Sequence, residues 1–352
     1  MTDGTTQNDP DPDPDPHPKA KSLRTRIIAV AATAAVLATV AVAYTLHAAE
    51  RAEPTAAASE FGLDTGHLYF RSTEGSGGAG GAGRVARTAT PSGKGHRTPG
   101  GPSCERFYAA ANTALCLQRR AGIPPTSYAL VLDRKLREKR RIALTGIPNR
   151  ARVSASGRML SWTMFATGDS YAGSSFSTRT SILDTRTGYL IKNMEEIQLT
   201  LDGSRYHSPD VNYWGVTFAK DDNRFYATVS TKGKTYLVEG DMKKWTAKAL
   251  RTNVECPSLS PDNTRIAFKK RVRKGTSDPW RLYVLDLRTM REHSVAESRN
   301  VDDQAAWLDD DTLAYALPGG GDRKQDIWST RADGDGKPNL LVRDGISPAA
   351  VH

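Results

Sequence analysis

The chain has 352 residues, among them 30 Gly, 19 Pro and 3 Cys, and carries a formal charge of +10 at pH 7. Once tail, apolar run and linkers are set aside, about 250 residues remain, which is room for one all-β ring but not for a second folded domain. The basic balance does not imply nucleic acid. Its densest runs, Arg137-Glu138-Lys139-Arg140-Arg141 and Lys269-Lys270-Arg271-Val272-Arg273-Lys274, fall between predicted strands, where charged hairpin loops are the ordinary outcome.

Residues 1–26 read as a disordered, Asp/Pro-rich tail. Asp9-Pro10 through Asp15-Pro16 alternates acid with proline, which forbids helix and leaves an extended, solvated spacer. Ile27 to Leu46 then runs without a charge and is long enough to cross a hydrocarbon core as one transmembrane helix. Lys19, Lys21, Arg24 and Arg26 precede it, so the positive-inside rule puts the N-terminus in the cytoplasm and all that follows outside, at the cell membrane. The rival reading is a signal peptide cut after Ala41-Val42-Ala43, which would secrete the protein; the run exceeds the roughly 7 to 15 residues of a signal core, which favours an uncleaved anchor.

Residues 47–65 are expected to be linker and 66–352 a β-propeller. Its signature is a short apolar triplet that recurs as Leu68-Tyr69-Phe70, Leu115-Cys116-Leu117, Met159-Leu160-Ser161, Phe225-Tyr226-Ala227, Ile266-Ala267-Phe268 and Leu313-Ala314-Tyr315, at spacings of 47, 44, 66, 41 and 47. Four-stranded propeller blades recur at roughly 40 to 50 residues. The long third gap is one blade with an insertion, Glu195 to Ser208, whose end with Tyr206, His207 and Asp210 is a candidate docking loop. Third strands are predicted at Tyr128–Asp133, Thr180–Asp184, Lys234–Glu239, Arg281–Asp286 and Asp326–Thr330.

Between the first two triplets, residues 72–103 are rich in Gly, Ser, Thr and Pro and are predicted as a loop. Gly75-Ser76-Gly77-Gly78-Ala79-Gly80 satisfies a G-x-G-x-x-G pattern but lacks the strand-to-helix context of a nucleotide cradle, and no other cofactor motif occurs. Cys104 and Cys116 flank a predicted hairpin and can face one another across adjacent strands, whereas Cys256 begins an inner strand and is a candidate to line the tunnel. One bridge with one free thiol and three buried thiols are both open.

Chemistry-bearing motifs are sparse. Gly168-Asp169-Ser170-Tyr171 has the look of an esterase turn without the elbow, base or appended α/β domain that serine catalysis needs. No H-x-x-x-H or C-x-x-C occurs, and the nearest approach to a calcium site is Asp302 with Asp303. At the C-terminus, Gly345 to Val351 parallels Val254 to Leu259, and the first repeat lacks an inner strand. The tail is therefore expected to supply it and close the ring, since an unclosed ring exposes unpaired N–H and C=O groups; a free tail is the alternative.

Ser260-Pro261-Asp262-Asn263-Thr264-Arg265-Ile266-Ala267-Phe268, and Asp326-Ile327-Trp328 followed by Ala332-Asp333-Gly334-Asp335-Gly336, resemble the WD40-like repeats of TolB-like propellers. Ser154-Ala155-Ser156-Gly157 and Leu308-Asp309-Asp310-Asp311 depart from that pattern by lacking its proline. The resemblance spans residues 61 to 352 and implies a six-bladed propeller that recruits a protein partner, with the partner unnamed.

In such a ring the residues just ahead of each inner strand crowd one face of the channel. Here they are Glu105, Arg106, Asn149, Arg150, Asn212, Tyr213, Glu255, Asp302, Asp303 and Gln304, a polar funnel of mixed charge suited to a peptide or partner loop. The expected function is a non-catalytic, membrane-anchored propeller, monomeric, that binds an envelope protein or ligand and uses no metal or cofactor. The alternative is an envelope hydrolase or lyase with its site in that funnel.

Overall fold

A computed structural model describes residues 28, 30–40, 61–74, 83–89, 97–122, 125–166, 177–273, 275, 277–320 and 324–351. The chain divides into two units, 1–56 and 57–352. In the first, residues 30–40 are helical. Among the described residues no helix is long and apolar enough to cross a membrane, and much of the expected span lies outside them.

The second unit is all-β and six-bladed. From the channel outward, the second blade runs β4 (Arg106–Ala110), β5 (Thr113–Arg120), β6 (Thr126–Leu132) and β7 (Glu138–Leu144). The third runs β8 (Ile147–Val153), β9 (Met159–Phe165), β10 (Thr178–Asp184) and β11 (Leu190–Ile191). The fifth runs β18 (Glu255–Leu259), β19 (Arg265–Arg271), β20 (Trp280–Asp286) and β21 (Glu292–Ser294), and the sixth β22 (Ala306–Trp307), β23 (Thr312–Pro318), β24 (Gln325–Arg331) and β25 (Asn339–Val342).

The fourth blade has six strands. Its ladder of β14 (Asn212–Phe218), β15 (Arg224–Thr231), β16 (Lys234–Asp241) and β17 (Thr246–Thr252) is extended outward by the inserted hairpin β12 (Gln198–Leu201) and β13 (Ser204–Tyr206), with β12 parallel to β17. The insertion thus covers an outer edge, and none of its residues lines the central cavity. Asp210 at its end accepts from Thr231 Oγ1 and the Lys232 amide and so holds the β15–β16 turn.

In the first blade the innermost strand comes from the other end of the chain. β26 (Gly345–Val351) pairs antiparallel with β1 (His67–Ser72), His67 opposite Val351 and Tyr69 opposite Ala349, and β2 (Arg84–Ala89) and β3 (Thr98–Ser103) complete the sheet. All six triplets fall on the second strand out from the channel. Each such strand is buried on both faces, which is why it reads as a continuous apolar run instead of an alternating one. Leu68 and Phe70 pack towards Ala314 and Ile327 of the sixth blade, while Tyr69 turns to Phe107 of the second. Such two-sided packing continues around the ring without a gap.

Two expectations need correction. β2 and β3 lie inside the stretch 72–103 predicted as loop. The glycines of β3 are there for packing: a Cβ on Gly100 would fall 2.5 Å from the Phe61 ring, and one on Gly101 2.6 Å from Val85 Cβ. The compositional bias of the whole stretch hid both strands, although only β3 needs its small residues. Second, residues 61–64 belong to the propeller and not to the linker, since Phe61 and Leu63 are buried in the core between the first two blades. The Leu63 amide donates to Arg134 O at 2.7 Å, and the Tyr69 hydroxyl donates to Gly62 O at 2.6 Å.

A disulfide joins Cys104 to Cys116 with a Cα separation of 5.5 Å, and Cys256 is a buried free thiol. The G-x-G-x-x-G run and Ser170 lie outside the described residues.

Packing between strands is close enough to test at one atom. Gly240 sits opposite Phe225, and a Cβ there would meet the ring at 1.9 Å. Gly240→Ala is expected to destabilise the ring by roughly 1–3 kcal/mol through overpacking. Urea denaturation should show a lower midpoint with an unchanged slope.

Candidate functional site

The inner strands of the ring are short and bent. β8, β14, β18 and β26 each carry a bulge, at Pro148/Arg150, Trp214/Thr217, Glu255/Ser258 and between Ile346 and Ala349. Three of the bulges hold a left-handed residue: Gly215 at φ 63°, Cys256 at φ 50° and Ser347 at φ 56°. A bulge adds one residue to the strand and re-aims its side chains. At Gly215 no side chain is tolerated, because a Cβ would come within 2.7 Å of Cys256 Cα on the adjoining inner strand. The bulges bring Asn149, Arg150, Glu255 and Cys256 to the channel mouth.

There they meet Arg106, Phe165, Thr178, Trp214, Lys269, Trp280 and Asp302 around a cavity of about 460 Å³. A narrower pocket of about 20 Å³ continues past Arg106 and Arg150 to Asp303, Gln304 and Ser347. Five predicted rim residues, Arg106, Asn149, Arg150, Glu255 and Asp302, therefore line the main cavity, and Asp303 and Gln304 line its extension.

The other three do not. Glu105 lies outside, 3.7 Å from Arg71. Asn212 accepts from the Thr178 amide at 3.0 Å and sits at the rim without lining the cavity. Tyr213 points into the core between the third and fourth blades, where burial pushes its hydroxyl well above the usual tyrosine range. It faces away because a strand alternates faces, so Trp214, one position on, takes the channel side.

Lys269, Trp280, Thr178 and Phe165 are not among the positions that the spacing predicts. In an antiparallel meander the end of a second strand and the start of a third lie at the same face as the start of the first. Lys269 and Phe165 occupy the former place and Trp280 and Thr178 the latter. Lys269 stands where a predicted buried strand, Arg265 to Lys270, overlaps the basic run read as a loop, and the strand reading holds: it is buried inside β19.

The charges fall in two groups: Lys269 among the acids Asp302 and Glu255, and Arg106 beside Arg150, where burial opposes the Arg150 charge but Cys256, Asp303 and Asp302 hold its pKa above the usual range. Lys269 Nζ pairs with Asp302 and lies 3.8 Å from Glu255, over the Trp280 ring. Glu255 is nearly enclosed, and burial holds its carboxyl above the usual glutamate range despite Lys269. Across the mouth, Arg150 Nη1 donates to Asn149 O at 3.2 Å and to the Asn149 side chain, while its buried Nε has no partner. The Arg106 guanidinium has neither a hydrogen bond nor an ion pair among the described residues. Burial, and then the like charge of Arg150, pull its pKa down to about 10. Among the described residues no cluster of His, Cys, Asp and Glu is arranged to hold a metal ion.

Six blades and closure by the chain's own C-terminal strand define the class as a six-bladed β-propeller with a funnel at one mouth. No family model matches the chain, and no curated protein matches it. Among solved structures, TolB from Acinetobacter baumannii superposes with a TM-score of 0.55 at 16% identity, over 82% of this chain and 67% of that one. A TolB structure from Agrobacterium tumefaciens gives 0.47 at 11% identity, over 80% and 90%. A Mycobacterium tuberculosis puromycin-hydrolyzing peptidase gives 0.46 at 14%, over 74% and 42%. The first likeness establishes the fold alone, and the two weaker ones add nothing to it.

The buried Lys269–Glu255 contact makes a prediction of its own. Lys269→Met strands Glu255 and is expected to cost about 3–5 kcal/mol near neutral pH, as loss of one partner of a buried pair does. A carboxyl whose folded pKa lies above its unfolded value penalises folding at high pH and not at low pH. The deficit should therefore shrink on acidification through the raised pKa of Glu255, which denaturant titrations at neutral and acid pH will read.

Proposed function

We propose that this protein is a membrane-anchored, extracytoplasmic binding propeller that receives an acidic group of a protein or peptide partner in its funnel, without catalysis. The observation that carries the reading is the pair Arg106 and Arg150. The Arg106 guanidinium has no hydrogen bond or ion pair among the described residues and its pKa is pulled down beside Arg150, which keeps a buried, unpartnered Nε. Holding two guanidiniums close together is costly for Arg106, and a carboxylate placed beside it offsets that cost through charge-assisted, bidentate hydrogen bonds. Trp214 and Trp280 supply flat apolar walls for the rest of the ligand.

The anchor rests on Ile27 to Leu46, uncharged and preceded by four cations, which is the arrangement that leaves the N-terminus inside and the propeller outside. Mass spectrometry of the membrane-extracted protein should find residues ahead of Ala43 still attached. A mature chain beginning after Ala43 would replace the anchor with secretion.

The binding role is tested by titrating short peptides with free C-terminal carboxylates, and the same peptides amidated, while following the fluorescence of the cavity tryptophans. The carboxylates should bind about tenfold or more tightly, the worth of one charge-assisted hydrogen bond. Arg106→Gln should erase that preference and at the same time raise the thermal midpoint, since it removes like-charge repulsion. Binding without preference for the carboxylate would sink the proposal. Turnover of ester, peptide or glycan substrates that is lost on changing Glu255 and Asp302 to Ala would favour an envelope hydrolase or lyase instead.

A further inference from the structure

The outer edges of the six blades differ sharply in charge. β3, β11, β21 and β25 carry no cation, and β17 is covered by the inserted hairpin, whose β13 has one. β7 has Lys139, Arg140 and Arg141 in succession, all exposed, and the turn ahead of it adds exposed Arg134, Lys135 and Arg137. A few cations on an edge strand need no further reason, because they discourage edge-to-edge pairing. This edge exceeds that need.

Its acids account for only part of the charge. Asp133 takes Arg137 at 2.8 Å, Glu138 takes Arg141 at 2.5 Å, and Asp64 lies 3.7 Å from Arg134. Lys135, Lys139 and Arg140 are left without a carboxylate among the described residues; Arg140 spends one N–H on Gly188 O at 3.1 Å.

The second observation is the route of the chain. The Leu63 amide donates to Arg134 O and Arg134 Nε donates back to Leu63 O at 3.2 Å, so the polypeptide joins the propeller against the turn that begins this basic edge. The segment between Leu46 and Phe61 spans at most roughly 50 Å even when fully extended. A tether attachment and an unneutralised basic strip share one corner of the ring.

We propose that the β6–β7 turn and β7 form a docking surface for the anionic phospholipid headgroups of the bilayer that holds the anchor, an inference that rests on the anchored reading above. Lys135, Lys139 and Arg140 lie against lipid phosphate, and the tether raises their local concentration at the surface. The propeller is held by its edge.

Residues 57–352 contain every described strand of the ring and its closure. This unit is sedimented with vesicles of phosphatidylcholine alone and of phosphatidylcholine mixed with phosphatidylglycerol. Binding is expected only to the anionic vesicles and should fall with added salt. The triple variant Lys135→Gln, Lys139→Gln, Arg140→Gln should lower the partition coefficient by roughly a hundredfold, from about fivefold per cation near such a surface. Lys220→Gln, Lys234→Gln, Lys248→Gln on the fourth blade removes the same charge elsewhere and should leave binding nearly intact. Equal binding to both vesicles, an unaffected β7 variant, or an equal loss in the fourth-blade variant overturns the proposal. None of these outcomes bears on the anchor, which is tested by the mass of the mature chain.

Discussion

The pairing of β26 with β1 is the constraint on which the other features depend. Six sheets packed face to face leave two faces and two inner edges unsatisfied unless the first and last blades meet. Here one sheet is built from both ends of the chain, so the meeting is covalently guaranteed on each side of the seam. Small side chains at the seam, Ala349 and Ala350, let the inner strand lie close to its neighbours, and both are buried. With the seam shut, the inner region is tied both across the channel and between the neighbouring fifth and sixth blades. Arg152 Nη2 donates to Ala305 O at 3.0 Å, Gln304 Nε2 to Pro257 O at 2.8 Å, and Trp307 Nε1 to Ser258 O at 2.9 Å. The cavity mouth inherits its geometry from these ties.

That rigidity gives the charge arrangement its meaning. In a mobile loop two arginines would drift apart and hydrate. Arg106 and Arg150 are set on neighbouring inner strands whose positions the ring dictates, so the like charge that lowers the Arg106 pKa cannot drift away. Lys269, by contrast, is saturated by Glu255 and Asp302 and acts as part of the wall. Cys256 adds a further cost, a non-glycine residue at positive φ in the same mouth, where its left-handed bulge aims Glu255 and its own thiol at the cavity.

What could be read in the sequence follows from how local each signal is. The apolar triplets are local and doubly buried, so they locate all six second strands; the likeness between Gly345–Val351 and Val254–Leu259 marks a shared bulge, with Ser347-Pro348 matching Cys256-Pro257. β3 stays hidden because its glycines answer to Phe61 and Val85, contacts that only the folded chain reveals, and β2 is lost in the same Gly-, Ser- and Thr-rich stretch. Rim residues taken from the starts of inner strands give half of the cavity wall. The rest comes from bulged inner strands, the ends of second strands and the starts of third strands, and Lys269, within a basic run, is turned inward by the register of β19 with β18. The insertion is visible as a break in spacing, but its parallel pairing to β17 has no sequence mark.

The attachment at Phe61 to Asp64 also settles how the ring bears mechanical load. Force drawn through the chain ahead of Phe61 does not reach the β1–β26 seam directly. It is taken up first by the buried Phe61 and Leu63 side chains, by the reciprocal bonds between Leu63 and Arg134, and by Arg87, which grips both Gly62 O and the Asp64 carboxylate. These contacts spread tension over the first and second blades, which the Cys104–Cys116 bridge reinforces from within. The seam that could peel is shielded from being pulled.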